Sequence, residues 1–273
     1  MRDQQALATF LRARRGLLKP ADVGLVGGER RRVAGLRREE VAMLAGISAE
    51  YYLRLEQGRE RQPSDQVLEG LASALQLNDD AAEYMRTLTH PAPRRRRPAA
   101  AKVDPSLQGL LDTWHLTPAY VQDRHMNILL GNSMARALIP YFAPGSNHLR
   151  FIFLDPELRK WLRNWDEVAG ILVSWLRFNI AEESPGDPEL QKLIGELSIA
   201  SHDFRTLWAR QDVKQKTSGM GLINHPQVGP LDLHYRAFVL PETRQALVTY
   251  YAEAGSPSEE RLRLLSSLAQ PTT

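Results

Sequence analysis

The 273-residue chain contains no cysteine, which excludes disulfides, zinc fingers, iron–sulfur clusters and thiol catalysis. No apolar run approaches the ~18 residues of a membrane span, and the basic N-terminus lacks the apolar core of a secretory signal. Both absences lead to the expectation of a cytoplasmic protein. Nucleotide signatures are missing as well. There is no P-loop and no G-x-G-x-x-G after a strand, since Gly219-Met220-Gly221 sits inside an expected hairpin. A G-x-S-x-G elbow is also lacking. The seven histidines show no ligand spacing: His115 and His125, or His225 and His234, stand too far apart for one helical face. We therefore assign no catalytic and no metal-ligating residue, expect no cofactor and do not expect an enzyme.

What remains is an ordinary globular composition, 43% hydrophobic and 25% charged, at a length suited to about two domains. The charge is unevenly spread. Residues 1–98 carry 18 Lys and Arg against 13 Asp and Glu, net +5, and residues 99–273 carry 17 against 19, net −2. The front half is the part suited to a polyanion, unless its charges only solvate helix faces.

Residues 36–58, LRREEVAMLAGISAEYYLRLEQG, carry the strongest local pattern. Leu36, Val41, Leu44 and Ala45 fall at helical spacing, Gly46 suits a left-handed helix end, and Ser48 suits the N-cap of a second helix. That second helix would bury Tyr52 and Leu55, turn Ala49, Glu50, Leu53 and Arg54 elsewhere, and close at Gly58. Two short helices around a tight turn make a helix-turn-helix. Before it, residues 4–18 read as an amphipathic helix with Leu7, Phe10, Leu11 and Leu17 inward and Arg12, Arg14 and Arg15 outward. Residues 19–35 read as a long connection with a basic cluster, Arg30 to Arg32, either an arm for phosphates or a minor groove or simply a solvated loop. After it, Ser64 caps a helix striped by Val67, Leu68, Leu71, Leu75 and Leu77, and a fifth helix spans residues 79–89. The stretch with its flanks resembles the helix-turn-helix of the XRE (Cro/repressor-like) family in its MmyB-like branch. The resemblance implies an all-α, lambda-repressor-like bundle over residues 1–90 whose second helix of the pair enters the major groove. Ala49, Glu50, Leu53 and Arg54 are then the base-contacting candidates. Arg54 suits guanine and Glu50 a cytosine amino group; the rival for Arg54 is a surface ion pair with Glu50. Arg37, Arg38, Ser48 and Tyr51 are the phosphate candidates, whereas Glu40 and Glu56 read as partners of arginines and Tyr52 as core.

Residues 91–105 read as a linker, with prolines around Arg94 to Arg97. From residue 106 to 273 the pattern becomes α+β. Short strands are expected at 118–124 and 126–131, and an Asn132-led helix runs to 139. Helices follow at 165–183, 188–200 and 202–210, strands at 214–224, 230–240 and 245–254, and a last helix at 257–268. Thr117 to Val121, Asn132 with Ala135, Phe153 to Pro156, Phe204 to Arg210, Thr217 to Gly219, His225-Pro226 and Tyr250 to Ser258 resemble the MmyB-like ligand-binding domain. This implies a PAS-like domain and a ligand of fatty-acid type. All five tryptophans lie here, enough to line an apolar pocket or merely to fill a core. Chosen by residue type, the lining candidates are Trp161, Trp175, Phe178, Trp208 and Tyr235, with Arg124, Asn132, His202 and Arg210 as polar anchors.

The expectation is a two-domain transcriptional regulator, more usually a repressor, that binds double-stranded operator DNA as a homodimer, stays off membranes and answers to a small lipophilic effector. The alternative keeps the DNA-binding head but makes the back half a dimerisation or protein-interaction module without ligand. A third possibility, an enzyme fused to a DNA-binding head, requires a convergent titratable cluster that the sequence does not offer.

Overall fold

The computed structural model describes residues 2–26, 31, 33–60, 62–89, 103–181, 187–214, 217–241, 243 and 245–269. The basic cluster is described only at Arg31, and the expected linker only from residue 103 onward. By its contacts the chain divides into two compact units: Met1–Arg96 with Arg177–Gln191 and Arg205–Gln215, and Arg97–Leu176 with Lys192–Phe204 and Lys216–Thr273.

The first unit is helical. It contains α1 (Arg2–Leu17), α2 (Arg38–Leu44), α3 (Ala49–Glu56), α4 (Asp65–Ala74) and α5 (Asp79–Thr89). Leu7, Phe10 and Leu11 recur at helical spacing on α1 and meet Leu36, Val41, Tyr52, Leu55, Leu68 and Leu71 in one core. Apolar stripes at this spacing are stable only when buried together, which ties the short helices to one another. Ser48 and Ser64 accept hydrogen bonds from the amides of Tyr51 and Val67, so both helices start at their expected caps. Gly46 ends α2 with φ +68°, a conformation costly for any residue with a side chain. α1 departs from the expected facing in two respects. Ala8 is buried where Leu17, the last residue of the helix, is 44% exposed. Arg14 and Arg15 do not simply point to solvent, because each is held by a carboxylate far away in sequence.

The second unit is α+β. Its elements in order are α6 (Ser106–Asp112), β1 (Ala119–Gln122), β2 (Ile128–Gly131), α7 (Ser133–Leu138), α8 (His148–Leu154) and α9 (Pro156–Trp161). Next come α10 (Trp165–Ala181), α11 (Pro188–Ala200) and α12 (His202–Ala209), each with residues in both units. The chain then returns to the sheet with β3 (Ser218–His225), β4 (Gly229–Val239) and β5 (Ala246–Tyr251), and ends the described part with α13 (Pro257–Ala269). The strands form one antiparallel sheet in the order β2-β1-β5-β4-β3, in keeping with the expected PAS-like α+β architecture. The two short helices α8 and α9 were not expected from the sequence.

Side chains alternate across a strand, so the register sets the faces. Tyr120 lies opposite Val248, and Tyr235 lies between Gly219 and Tyr250, which puts the three tyrosines on one face. Phe142 stacks on Tyr120 at 4.3 Å between ring centroids and on Tyr250 at 5.9 Å, and His148 and Phe151 close around it. A side chain on Gly131 would collide with the carbonyl of Phe142, so only glycine lets this loop come down on β2. On the other face, α6 covers Ala119 and Val121, while Met220, Phe238 and Tyr251 stay exposed.

Candidate nucleic-acid interface and effector groove

On α3, burial follows the helical period. Tyr52, Leu55 and Glu56 are inside, Ala49, Glu50 and Arg54 are exposed, and Tyr51 and Leu53 are half-buried. Arg54 lies over the Tyr51 ring at 5.4 Å. Its nitrogens come no closer than 4.0 Å to Glu50 and to Glu60. The surface pair with Glu50 is therefore present in its weakest geometry, worth at most a few tenths of a kcal/mol. Ser48 Oγ accepts from the Tyr51 amide at 3.1 Å, which leaves its hydroxyl hydrogen to be donated outward.

The start of α2 is fixed by two carboxylates. Glu40 accepts the Arg37 amide at 2.6 Å and both terminal nitrogens of Arg31 at 2.7 Å. The Arg31 hydrogen bonds hold the Glu40 carboxyl down at about 2. Arg31 also donates to the Gly35 carbonyl at 3.0 Å, so it is a latch between loop and helix rather than a free arm. Glu56, only 2% exposed, accepts from Arg15 Nε and Arg38 Nε, each at 2.6 Å. Burial alone would raise the Glu56 pKa, but the Arg15 and Arg38 bonds outweigh it and the net shift is downward. Arg38 keeps roughly half of its side chain exposed while bound to Glu56. Glu40 and Glu56 are thus intramolecular partners of arginines, as expected.

The ligand candidates chosen by residue type fall in both units. Phe178, Trp208 and Arg210 belong to the helical unit. There Phe178 packs against its core, Arg177 covers the Trp208 ring at 3.8 Å, and Arg210 is exposed and paired with Asp212. In the sheet unit His202 is exposed at the start of α12. Asn132 is buried, but its amide is already committed. Its oxygen accepts from Ala119 and Ala135, and its nitrogen donates to the carbonyls of Leu111, Trp114 and Thr117. It is a structural tie with no capacity left for a ligand. Arg124 is half-buried beside His125, and Trp161 meets His225 edge-on at 5.8 Å. Among the described residues, Trp175 Nε1 and the Tyr235 hydroxyl are buried without a hydrogen-bond partner. Burial, with the nearby Glu167 charge, raises the Tyr235 pKa to about 12.

Two features of this unit were not read from the sequence. The first is the neutral cluster around His148. Its Nδ1 sits 3.4 Å from Tyr120 Oη and 3.2 Å from Gln122 Oε1, and burial lowers its pKa to about 3. The alternation of Tyr120 with Gln122 on a short strand was the available signal. The second is a groove of about 350 Å³ lined by Ser133, Arg136 and Ala137 of α7, Gln227, and Leu265, Leu268 and Ala269 of α13. It is open to the surface and sets Arg136, which also donates to the Gly131 carbonyl, with Ser133 and Gln227 beside two leucines and two alanines. No local signal links α7 to α13, which are more than a hundred residues apart. Among the described residues no group of three His, Asp or Glu is placed to hold a metal ion, and no helix is long and apolar enough to cross a membrane.

Residues 6–85 match a helix-turn-helix domain family. A comparison with curated proteins finds no significant match. Residues 103–265, more than half of the chain, match the MmyB-like transcription regulator ligand binding domain. Together with a helix-turn-helix whose second helix keeps an exposed polar face, that match makes this chain a member of the MmyB-like transcription regulators, a DNA-binding regulator with a ligand-binding domain.

Proposed function

We propose that the protein is a cytoplasmic repressor of the XRE type that binds paired operator half-sites as a homodimer and is released or retained by a small lipophilic effector, a fatty acid or a molecule of similar shape. The exposed face of α3 supports the DNA part: Ala49, Glu50 and Arg54 are exposed and Leu53 is half-buried, while Tyr52 and Leu55 are inside. Arg54 reads a guanine, and Arg37, Arg38, Ser48 and Tyr51 set the register on phosphates. In vitro selection of duplexes by wild type and Arg54→Ala tests this. The variant should lose ~1–3 kcal/mol of discrimination at one base position and keep the rest of its preference. An unchanged selected sequence would remove Arg54 from the readers.

The α7–α13 groove carries the effector reading, because it sets the Arg136 cation beside Leu265 and Leu268. A cation beside apolar side chains suits a carboxylate on an acyl chain that lies along the surface. Trp161, Trp175 and Tyr235 remain candidate contacts for a ligand that enters deeper, and Arg124 a candidate anchor. No resident cofactor and no catalytic role are assigned. Native mass spectrometry of the purified chain, with denaturing extraction, should find an added acyl mass that Arg136→Ala reduces. A clean dimer that also ignores added myristate would favour a second reading, in which the back half only dimerises. The tightly stacked aromatic cluster and the exposed Met220, Phe238 and Tyr251 face are the observations on its side.

A further inference from the structure

Residues 177–191 and 205–215 lie within the span matched by the ligand-binding family, yet they complete the compact unit that carries the helix-turn-helix. Val213 is 3% exposed and belongs to the same apolar cluster as Leu7, Leu11 and Tyr52. Asp212 accepts from Arg14 of α1 at 2.6 Å and from Arg210 at 2.9 Å. Arg177, 4% exposed, braces this turn from behind. Its guanidinium covers the Trp208 ring and donates to Gln211 Oε1 at 2.6 Å and to the Trp208 carbonyl at 2.5 Å. Both terminal nitrogens of this buried guanidinium are met by the turn, while its Nε finds no partner among the described residues, so the brace favours one geometry of the turn.

Arg14 and Arg15 are consecutive residues near the end of α1. Arg14 holds Asp212, and Arg15 holds Glu56, the last residue of α3. A rigid helix carries displacement from one neighbour to the next. We propose that Asp212 and Val213, braced by Arg177, are positioning residues of the DNA-reading head: they fix the end of α1 and, through the Arg15–Glu56 pair, the angle of α3. The inference rests on the DNA-binding reading of α3 and deepens it. Residues 1–89 alone are then an incomplete reading head, and an effector acting on the segment that follows α12 has a short physical route to α3.

The test uses the full chain with Asp212→Ala, Asp212→Glu, Arg14→Ala, the double alanine variant and Val213→Ala. The first measurement is amide hydrogen exchange without DNA. Asp212→Ala and Val213→Ala should speed exchange at residues 52–57 about threefold or more and leave β4 and β5 unchanged, with Asp212→Glu close to wild type. The second is affinity for a duplex selected in vitro by wild type, against a random duplex. Asp212→Ala should weaken the selected duplex about fivefold and the random one hardly at all, and the double alanine variant should be no worse than either single. Unchanged exchange across α3 overturns the proposal, and so does equal weakening on both duplexes. A wild-type chain that selects no sequence counts against DNA reading itself, and the exchange measurement then decides the positioning role alone.

Discussion

Around the apolar core of the helical unit, ion pairs join segments apart in sequence: Arg15 and Arg38 on Glu56, Arg31 on Glu40, and Arg14 on Asp212. The sheet unit has ion pairs of its own, such as Arg150 on Glu196, but these are more exposed, and its centre is filled by neutral rings, Tyr120, Phe142, His148, Phe151 and Tyr250. The contrast is physical. An ion pair fixes distance and direction between two named atoms but returns little net stability after desolvation. Stacked rings supply burial energy and tolerate small shifts. A head that must present α3 at a set angle is served by the first, and a domain that must adjust to an effector by the second.

The largest expected effect that breaks the contrast is Phe142→Ala. Removing the ring at the centre of the stack should cost about 4 kcal/mol, measured by chemical denaturation of the full chain. A loss below ~1 kcal/mol would mean that the neighbouring rings close the gap. Next is Glu56→Gln, which leaves Arg15 without its counter-charge and should cost about 3 kcal/mol. Replacing both members, Arg15→Met with Glu56→Leu, should cost less than the single change, because no buried charge is then stranded. An additive double variant would show that the pair acts only by packing.

The smallest effect, about 1 kcal/mol over the first pH unit below 6.5, sharpens the comparison through pH. His148 has a pKa of about 3 in the fold, well below its ordinary value of 6.5. The unfolded chain therefore binds the extra proton first, and stability falls as pH drops from 6.5 toward 3, by up to ~1.4 kcal/mol per pH unit. The Glu40 pKa is lowered from 4.5 to about 2 and that of Glu56 is also lowered, so their contributions are lost only as pH falls below 4.5. Mild acid should loosen the sheet unit before the helical one. Fluorescence and hydrogen-exchange midpoints for His148→Gln against wild type check the order, and a wild-type profile flat between pH 6.5 and 5 would contradict it.

Much of this architecture is legible locally. The α5 bounds, the Ser48 and Ser64 caps, the Asn132-led helix and the five strands follow from spacing and caps that act within a few residues. α8 is not, because HLRFIFL is too short and too evenly apolar to show a period, and α9 follows after the single residue Asp155. The inward or outward sense of Arg14 and Arg15 depends on partners 198 and 41 residues away, beyond any helical period. The ligand candidates divided between the units for the same reason. Tryptophan and arginine at 208 and 210 say what chemistry is available, while only the contacts of the folded chain say on which unit it is spent.

The Asn132 amide has a practical consequence for anyone shortening the protein. It bonds to the backbone at Leu111, Trp114, Thr117, Ala119 and Ala135. A fragment cut to begin at β1 removes three of those five anchors and leaves two buried amide hydrogens seeking acceptors. Any fragment meant to keep the sheet intact therefore starts before Leu111, at or upstream of α6, and a crystallisation or ligand-screening fragment trimmed to the sheet would test a damaged domain.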